Sequence, residues 1–505
     1  MTLLIKNVQI LGGDREFKER LDVFVADDKI AAIGNFPNKS ADEVLDGQEA
    51  YLSPGFIDVN TDSDHYLTLF EDPGQEDFLR QGVTTIMGGM CGASLAPLLY
   101  GTLESVRKWG GSENKINIDW HTMGEFLATL ERRPLAVNFG TLVGHATIRR
   151  AIVGDALRDL TKNETNVFLE TLARALREGG FGLSTGLGYV HARKTPYAEL
   201  KTFVSALAGM KGIYATHLRK TGLGVAESVE ETIKLAKETG SSMLINHFVP
   251  VHGAEGEYEK ALGEIEALPA EQNFHFDLYP FDELLLPLYT FLPVWTQNGG
   301  LETMLANIKD DWLTDRIKKD MDPPAENDFL VAQAPGNEIF VGKSLRDIKE
   351  MYDLKDGHDA LIKLMRATEL RGTVLYKVLN MDLIRKALKS PHALVASNAP
   401  SFADAAGGKQ IKSKRATSTF TKFLSMAEQE HLMPLADAVR KITYEPAKKF
   451  GFTNRGIIKE GNIADLACFK NGEIKFTVVG GKVAMKDGAF REKFPGKVLR
   501  RGAKN

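Results

Sequence analysis

From residue 133 to residue 281 the chain alternates strand-like apolar runs with amphipathic runs, and this rhythm narrows the fold more than any other feature. RPLAVNFGTLVGH is followed by NETNVFLETLARALREGG and then FGLSTGLGY. AELKTFVSALAGMKG leads into IYATHLR, VAESVEETIKLAKETG into SMLINHFVP, and EYEKALGEIEALPAEQ into FHFDLYPF. Apolar residues three and four apart, often closed by Gly, predict helices. Strand–helix alternation of this length means βα units and a parallel sheet. An open doubly wound sheet and a closed barrel both satisfy it. The barrel is favoured because Cys91, His145, His217, His247 and Tyr279 each fall just past a different strand-like run. In a βα barrel the reactive groups collect at those strand ends.

Both ends of the chain read differently. Residues 1–52 and 451–505 are short strands between Gly- and Asp-containing turns, expected to pair into one small β domain. Residues 53–450 are expected to hold the barrel, with residues 284–350, which break the rhythm, as an insertion over its mouth. At 505 residues the chain exceeds the size of a single core, so two domains are expected. A net charge of −4, without a basic stripe, argues against nucleic acid as a partner. No apolar run is long enough for a membrane span, and the N-terminal residues lack the pattern of a signal peptide. Two distant cysteines, Cys91 and Cys468, give no disulfide framework; a cytoplasmic location is expected.

One thiolate and two imidazoles at three strand ends (Cys91, His217, His247) are a zinc-type donor set with an open fourth position. Each alone is more often a buried cysteine or a satisfied polar residue; the three together carry the reading. Asn60 and Asp62, two apart on an extended segment, share one face, where Asp62 is a weak further metal candidate. Asp64 and His65 lie beside them. Asn398 stands in VASNAPSF, where a hydrolase needs a carboxylate to move protons; an amide does not serve near neutral pH. Asp404 is the nearest substitute in sequence. Ser184, Thr185 and Tyr189 in GGFGLSTGLGY are candidates for hydrogen bonds to substrate, and Arg415 is a candidate carboxylate clamp.

Together with PGFID, GVTTIMGGMCGASLAP, LVGHATIRRAIVG, YATHLR, DLYPF, ITYEPAKKFGF and RGIIKEGNIADLACF, these motifs make the chain resemble the N-acyl-D-amino acid deacylase (D-aminoacylase) branch of the amidohydrolase superfamily nearly end to end. The resemblance implies a (β/α)8 TIM-like barrel and a small β-sandwich built from both termini. It implies zinc on Cys91, His217 and His247, with a second, weaker site as an open alternative. Tyr189, Tyr279 and Arg415 match residues that contact an N-acyl amino acid and its carboxylate. The family's Asp base maps to Asn398, and its His-x-His pair maps to Asn60 and Asp62. Phe248 and Val249 replace a His and a Lys, and DELLLPLY replaces small polar residues. The expectation is therefore a zinc-dependent hydrolase of N-acyl amino acids or related small amides. The alternatives are a noncatalytic relative that binds a ligand or partner and, more weakly, an enzyme opening cyclic amides.

Overall fold

The structure is a computed structural model that describes the chain except residues 101–102, 104–115, 270–271, 298–299, 323, 404–409, 492 and 504–505. Parallel strands carry the middle of the chain. Phe56–Asp58, Val83–Gly88 and Asn138–Thr141 pair in that order. After Leu142 the same run resumes as Val143–Gly144. It then pairs in parallel through Gly182–Gly186, Ile213–His217, Ser242–Ile245, Phe274–Leu278 and Ala393–Val395. The last strand returns to the first: Asn398 N–H donates to Asn60 O at 2.9 Å, and Asp62 N–H donates to Ala399 O at 3.2 Å.

Helices lie between the strands for reasons visible in their sequences. Lys162–Arg177 starts at a capping box in which Thr161 and Glu164 bond each other's backbone N–H. It buries Phe168, Leu172, Ala175 and Leu176, one stripe at helical spacing. Val225–Thr239 ends on Gly240 at φ 68°, a left-handed cap that costs glycine little. Inside the strands a second core of Ile57, Met87, Leu142, Phe181, Ile213, Leu244 and Leu394 reaches from Phe450 and Phe452 up to Cys91.

Asp58 ties the first and last parallel strands together. Its buried carboxylate accepts from Asn60 N–H at 3.2 Å and from Ser397 N–H at 3.1 Å. Burial above all pushes this carboxyl up to about 8, and the charge of Asp277 adds to it. The folded chain therefore holds a proton that the unfolded chain, with a carboxyl near 4, releases. Stability falls as pH rises between those values, by up to about 1.4 kcal/mol per pH unit. Thermal unfolding of Asp58→Asn from pH 4 to 8 is expected to show a flatter profile than that of the native chain.

The two termini join in one nine-stranded sheet. Tyr51–Pro54 pairs in parallel with Thr2–Leu11 and antiparallel with Leu466–Lys470. One face of this sheet packs its own core, with Ile5, Val23 and Leu52 against Leu466, Phe476 and Val483. The last residues leave it: Leu499 N–H donates to Phe139 O at 2.7 Å and Arg500 Nε to Glu131 at 3.0 Å, so residues 496–501 belong with the parallel strands. The insertion is longer than 284–350. Glu283–Pro287, Phe329–Gln333 and Thr373–Lys377 form a three-stranded antiparallel sheet. The helix Gly357–Ala367 and Val374 are part of the same core as Leu288 and Phe340, which carries the unit on to residue 377. No helix among the described residues is long and apolar enough to cross a membrane.

Candidate metal centre

Cys91, His217 and His247 come together. One ligand atom from each lies within 4.8 Å of the others, the one such group of three or more His, Cys, Asp or Glu among the described residues. Cys91 Sγ is 3.4 Å from His247 Nε2, which is 2.8 Å from His217 Nδ1. Ligand bonds of tetrahedral zinc imply about 3.3–3.6 Å between such atoms. The Cys91–His247 separation falls in that range, whereas the two imidazole nitrogens stand closer and part by about 0.5 Å to share a tetrahedral ion; the donor types fit zinc.

Local backbone makes this convergence. Cys91 follows Val83–Gly88 and takes φ 51°, His247 takes φ 37° and Asn398 takes φ 46°. Left-handed backbone at non-glycine residues is uncommon, and here three instances sit at one mouth. Gly92 presses against the neighbouring strand, where a Cβ would meet Gly186 N at 2.6 Å. Ser184 Oγ accepts from Gly92 N–H at 3.1 Å and donates to Gly89 O at 2.5 Å, pinning the Cys91 loop. A side chain at residue 188 would meet His217 Nε2 at 2.7 Å, so Gly188 leaves room for that ring. The Tyr189 ring covers the other side of His217, with centroids 4.6 Å apart.

His247 is held in place by a carboxylate absent from the expected site. Asp277, fully buried, accepts from His247 N–H at 2.7 Å, Asn246 Nδ2 at 2.9 Å and Asn60 Nδ2 at 3.2 Å. Burial first, offset by these donors, lifts its carboxyl to about 6. Burial, then the Arg415 charge, presses the His247 imidazole down to about 4, which keeps it neutral as a ligand must be. The signal for Asp277 was present: a charged residue alternating with apolar ones in FHFDL, on the same strand face as His275.

Asn60 and Asp62 do not assemble a second site. The Asn60 amide points its Nδ2 into Asp277, and Asp62 Oδ1 lies 3.0 Å from His65 Nδ1. Asp62 stands outside the Cys91–His217–His247 group, so the weak expectation of a metal bond from it is not met in this geometry. His145 is turned away from the mouth, 3.1 Å from Glu199 and packed against the stacked rings of Phe168 and Phe203. Thr185 is also occupied within the fold, by Tyr214 at 2.8 Å and Thr216 at 2.9 Å. Asp404 lies outside the described residues.

Arg415 and Tyr279 do meet at the mouth. The guanidinium lies 4.2 Å over the Tyr279 ring, donates from Nε to Ser397 O at 3.1 Å and from Nη2 to Asn398 O. Both side chains are buried. Asn398 N–H already bonds Asn60 O, so the asparagine at this position is anchored through its backbone on both sides.

Residues 386–484 match the amidohydrolase family. The D-aminoacylase of Alcaligenes xylosoxydans xylosoxydans is 27% identical over 522 residues, covering 99% of this chain and 98% of that protein. A solved D-aminoacylase, described as defining a novel subset of amidohydrolases, is 26% identical with a TM-score of 0.80 over 99% of both chains. The chain is similar over nearly its whole length to N-acyl-D-amino acid deacylases, and part of it matches the amidohydrolase family. An N-acyl-D-aspartate deacylase from the same organism is 27% identical over 94% of this chain and 86% of its own length. The N-acyl-D-glutamate deacylase from Bordetella bronchiseptica, solved with zinc and a phosphonate inhibitor, has a TM-score of 0.82 over 99% of both chains; at 24% identity it shows the fold alone.

Proposed function

We propose that this chain is a metal-dependent hydrolase of the linear amide bond in N-acyl amino acids, with one zinc on Cys91, His217 and His247. The observation that carries the reading is the convergence of those three donor atoms beside the buried Arg415. The parallel strands are read as a (β/α)8 barrel over roughly residues 53–450, joined by residues 496–501, and the terminal sheet (within 1–52 and 451–495) as a β-sandwich. Zinc bound there supplies Lewis-acid activation of the amide carbonyl and of water. Arg415 binds the substrate carboxylate through the edge of its fork that Ser397 and Asn398 leave. Tyr279, against the guanidinium, fixes its plane, and Tyr189 closes the wall beside His217. The partner is a small molecule, not nucleic acid or a membrane, and the location is cytoplasmic. The relatives described above are enzymes and give the noncatalytic alternative no support.

The test is to purify the protein without chelator, measure metal per chain, and follow amine release from N-acyl-D- and N-acyl-L-amino acids alongside cyclic amides. One metal per chain with amine release from linear N-acyl amino acids is expected. A metal-free, inactive protein contradicts the reading, and turnover confined to cyclic amides replaces it. Arg415→Met is expected to raise KM for a free N-acyl amino acid at least about 30-fold, the scale of losing a buried charge pair. Its carboxamide analogue changes far less in the same assay. Arg415→Lys is not expected to restore KM, because an ammonium lacks the planar fork.

A further inference from the structure

Asn398 leaves the site without a carboxylate at the position the branch uses, so the proton of the attacking water needs another acceptor. Four buried carboxylates stand near the mouth. Asp58, Asp64 and Asp277 are sealed, at 0–1% exposure. Asp58 accepts from Ser397 and Asn60 N–H, Asp64 from Gly89 N–H at 2.6 Å, and Asp277 from three donors. Asp62 differs: its side chain keeps 11% of its surface accessible, and His65 is the donor placed on its carboxylate among the described residues.

The partner of Asp62 is fixed at one of its carboxylate oxygens. His65 is fully buried, and its Nε2 lies 3.1 Å from Ala93 O, a group that only accepts, so Nε2 carries a proton. Its Nδ1 faces the Asp62 carboxylate. Two acceptors on the two ring nitrogens call for an imidazolium, and Asp64 Oδ2, 3.9 Å from Nε2, supplies a second negative charge in its favour. The pair thus presents a carboxylate anchored through one oxygen, with part of its surface left accessible. Asp62 N–H bonds Ala399 O, which sets the residue beside Asn398. Its charge acts on both His247 and Tyr189, one residue in the donor set and one in the wall beside it.

We infer that Asp62, held by His65, is the catalytic proton acceptor of this chain, in the role that Asn398 does not fill. The inference rests on the hydrolase reading above. The Asp62 carboxylate takes one proton from water as the water oxygen bonds to the amide carbon and the carbonyl π pair moves onto its oxygen. When the C–N bond breaks, its electron pair stays on nitrogen. The proton then passes from the Asp62 carboxyl to that nitrogen, giving carboxylic acid and amine and an ionised Asp62. His65 is a positioning residue and does not touch substrate.

The test measures kcat and metal per chain for the metal-loaded full-length protein and for Asp62→Asn. The expected result is a loss in kcat of about 10²–10⁴, the usual worth of a general base, with metal content unchanged. Asn398→Asp on the Asp62→Asn background is expected to recover most of that loss, but to add less than about tenfold to the native chain, where an acceptor already works. Asp62→Ala with and without formate carries the same test if the Asn variant fails to fold: formate restores turnover in the expected case and leaves it unchanged in the contrary one. Asp62→Asn turnover within about threefold of native overturns the inference, as does a fall in metal content that matches the fall in turnover, which makes Asp62 a ligand. A native chain that binds metal yet releases no amine refutes the hydrolase reading itself, and this inference with it.

Discussion

Cys91→Ala is expected to abolish both bound metal and turnover. The site has one thiolate, and its removal leaves two imidazoles, 2.8 Å apart at their closest nitrogens, as the remaining donors of the group. Loss of even an outer partner of a metal ligand costs roughly 10–100-fold in affinity or activity, so loss of the ligand is expected to exceed about 100-fold. After dialysis, metal per chain falls from one to near zero, and amine release falls with it. The fold survives, because Cys91 sits at the upper limit of the inner core and alanine takes its place among Met87, Met90 and Leu142 without a new polar group to bury. Circular dichroism of the variant therefore matches the native chain. What disappears is the rise in melting temperature on adding zinc: a ligand at 100 times its Kd stabilises a native state by about 2.7 kcal/mol, and the variant has no site for it.

Asp277→Ala is expected to cause the largest loss of stability of any substitution at the mouth. One carboxylate accepts from His247 N–H, Asn246 Nδ2 and Asn60 Nδ2, with no exposure to water. Truncation strands three buried donors, each costing about 1–3 kcal/mol. Partial relaxation leaves an expected loss of about 3–5 kcal/mol in urea unfolding. The same change frees the His247 backbone from its left-handed conformation, so metal affinity drops as well, by about 10–100-fold. Asp277→Asn keeps an acceptor for His247 N–H but turns an amide toward two amide donors, and its loss falls between native and alanine. Equal stability of Asp277→Ala and the native chain contradicts this account of how His247 is positioned.

The parallel strands were legible because each is a short apolar run followed by a helix with its own start and stop, such as Thr161 with Glu164 before Lys162–Arg177. The donor set was legible because chemistry-bearing residues end apolar runs, and strand ends in such a fold converge. What the pattern does not carry is which polar atoms the fold uses up. Ser184 and Thr185 look like substrate contacts in sequence, yet one pins the Cys91 loop and the other bonds Tyr214 and Thr216. Asp62 reads as a ligand until the local turn brings His65, three residues on, to its carboxylate. The far limit of the insertion was misplaced because Gly357–Ala367 is amphipathic like the helices around the parallel strands. Only tertiary packing shows it facing Leu288 and Phe340 instead.

The most direct test of the metal centre is X-ray absorption at the zinc edge of protein loaded with one equivalent of zinc. The expected spectrum has one sulfur neighbour at about 2.3 Å and two imidazole nitrogens at about 2.0–2.1 Å, with the remaining position taken by a light atom. A spectrum without sulfur, or with zinc held only by oxygen donors, contradicts the convergence of Cys91, His217 and His247 on one ion.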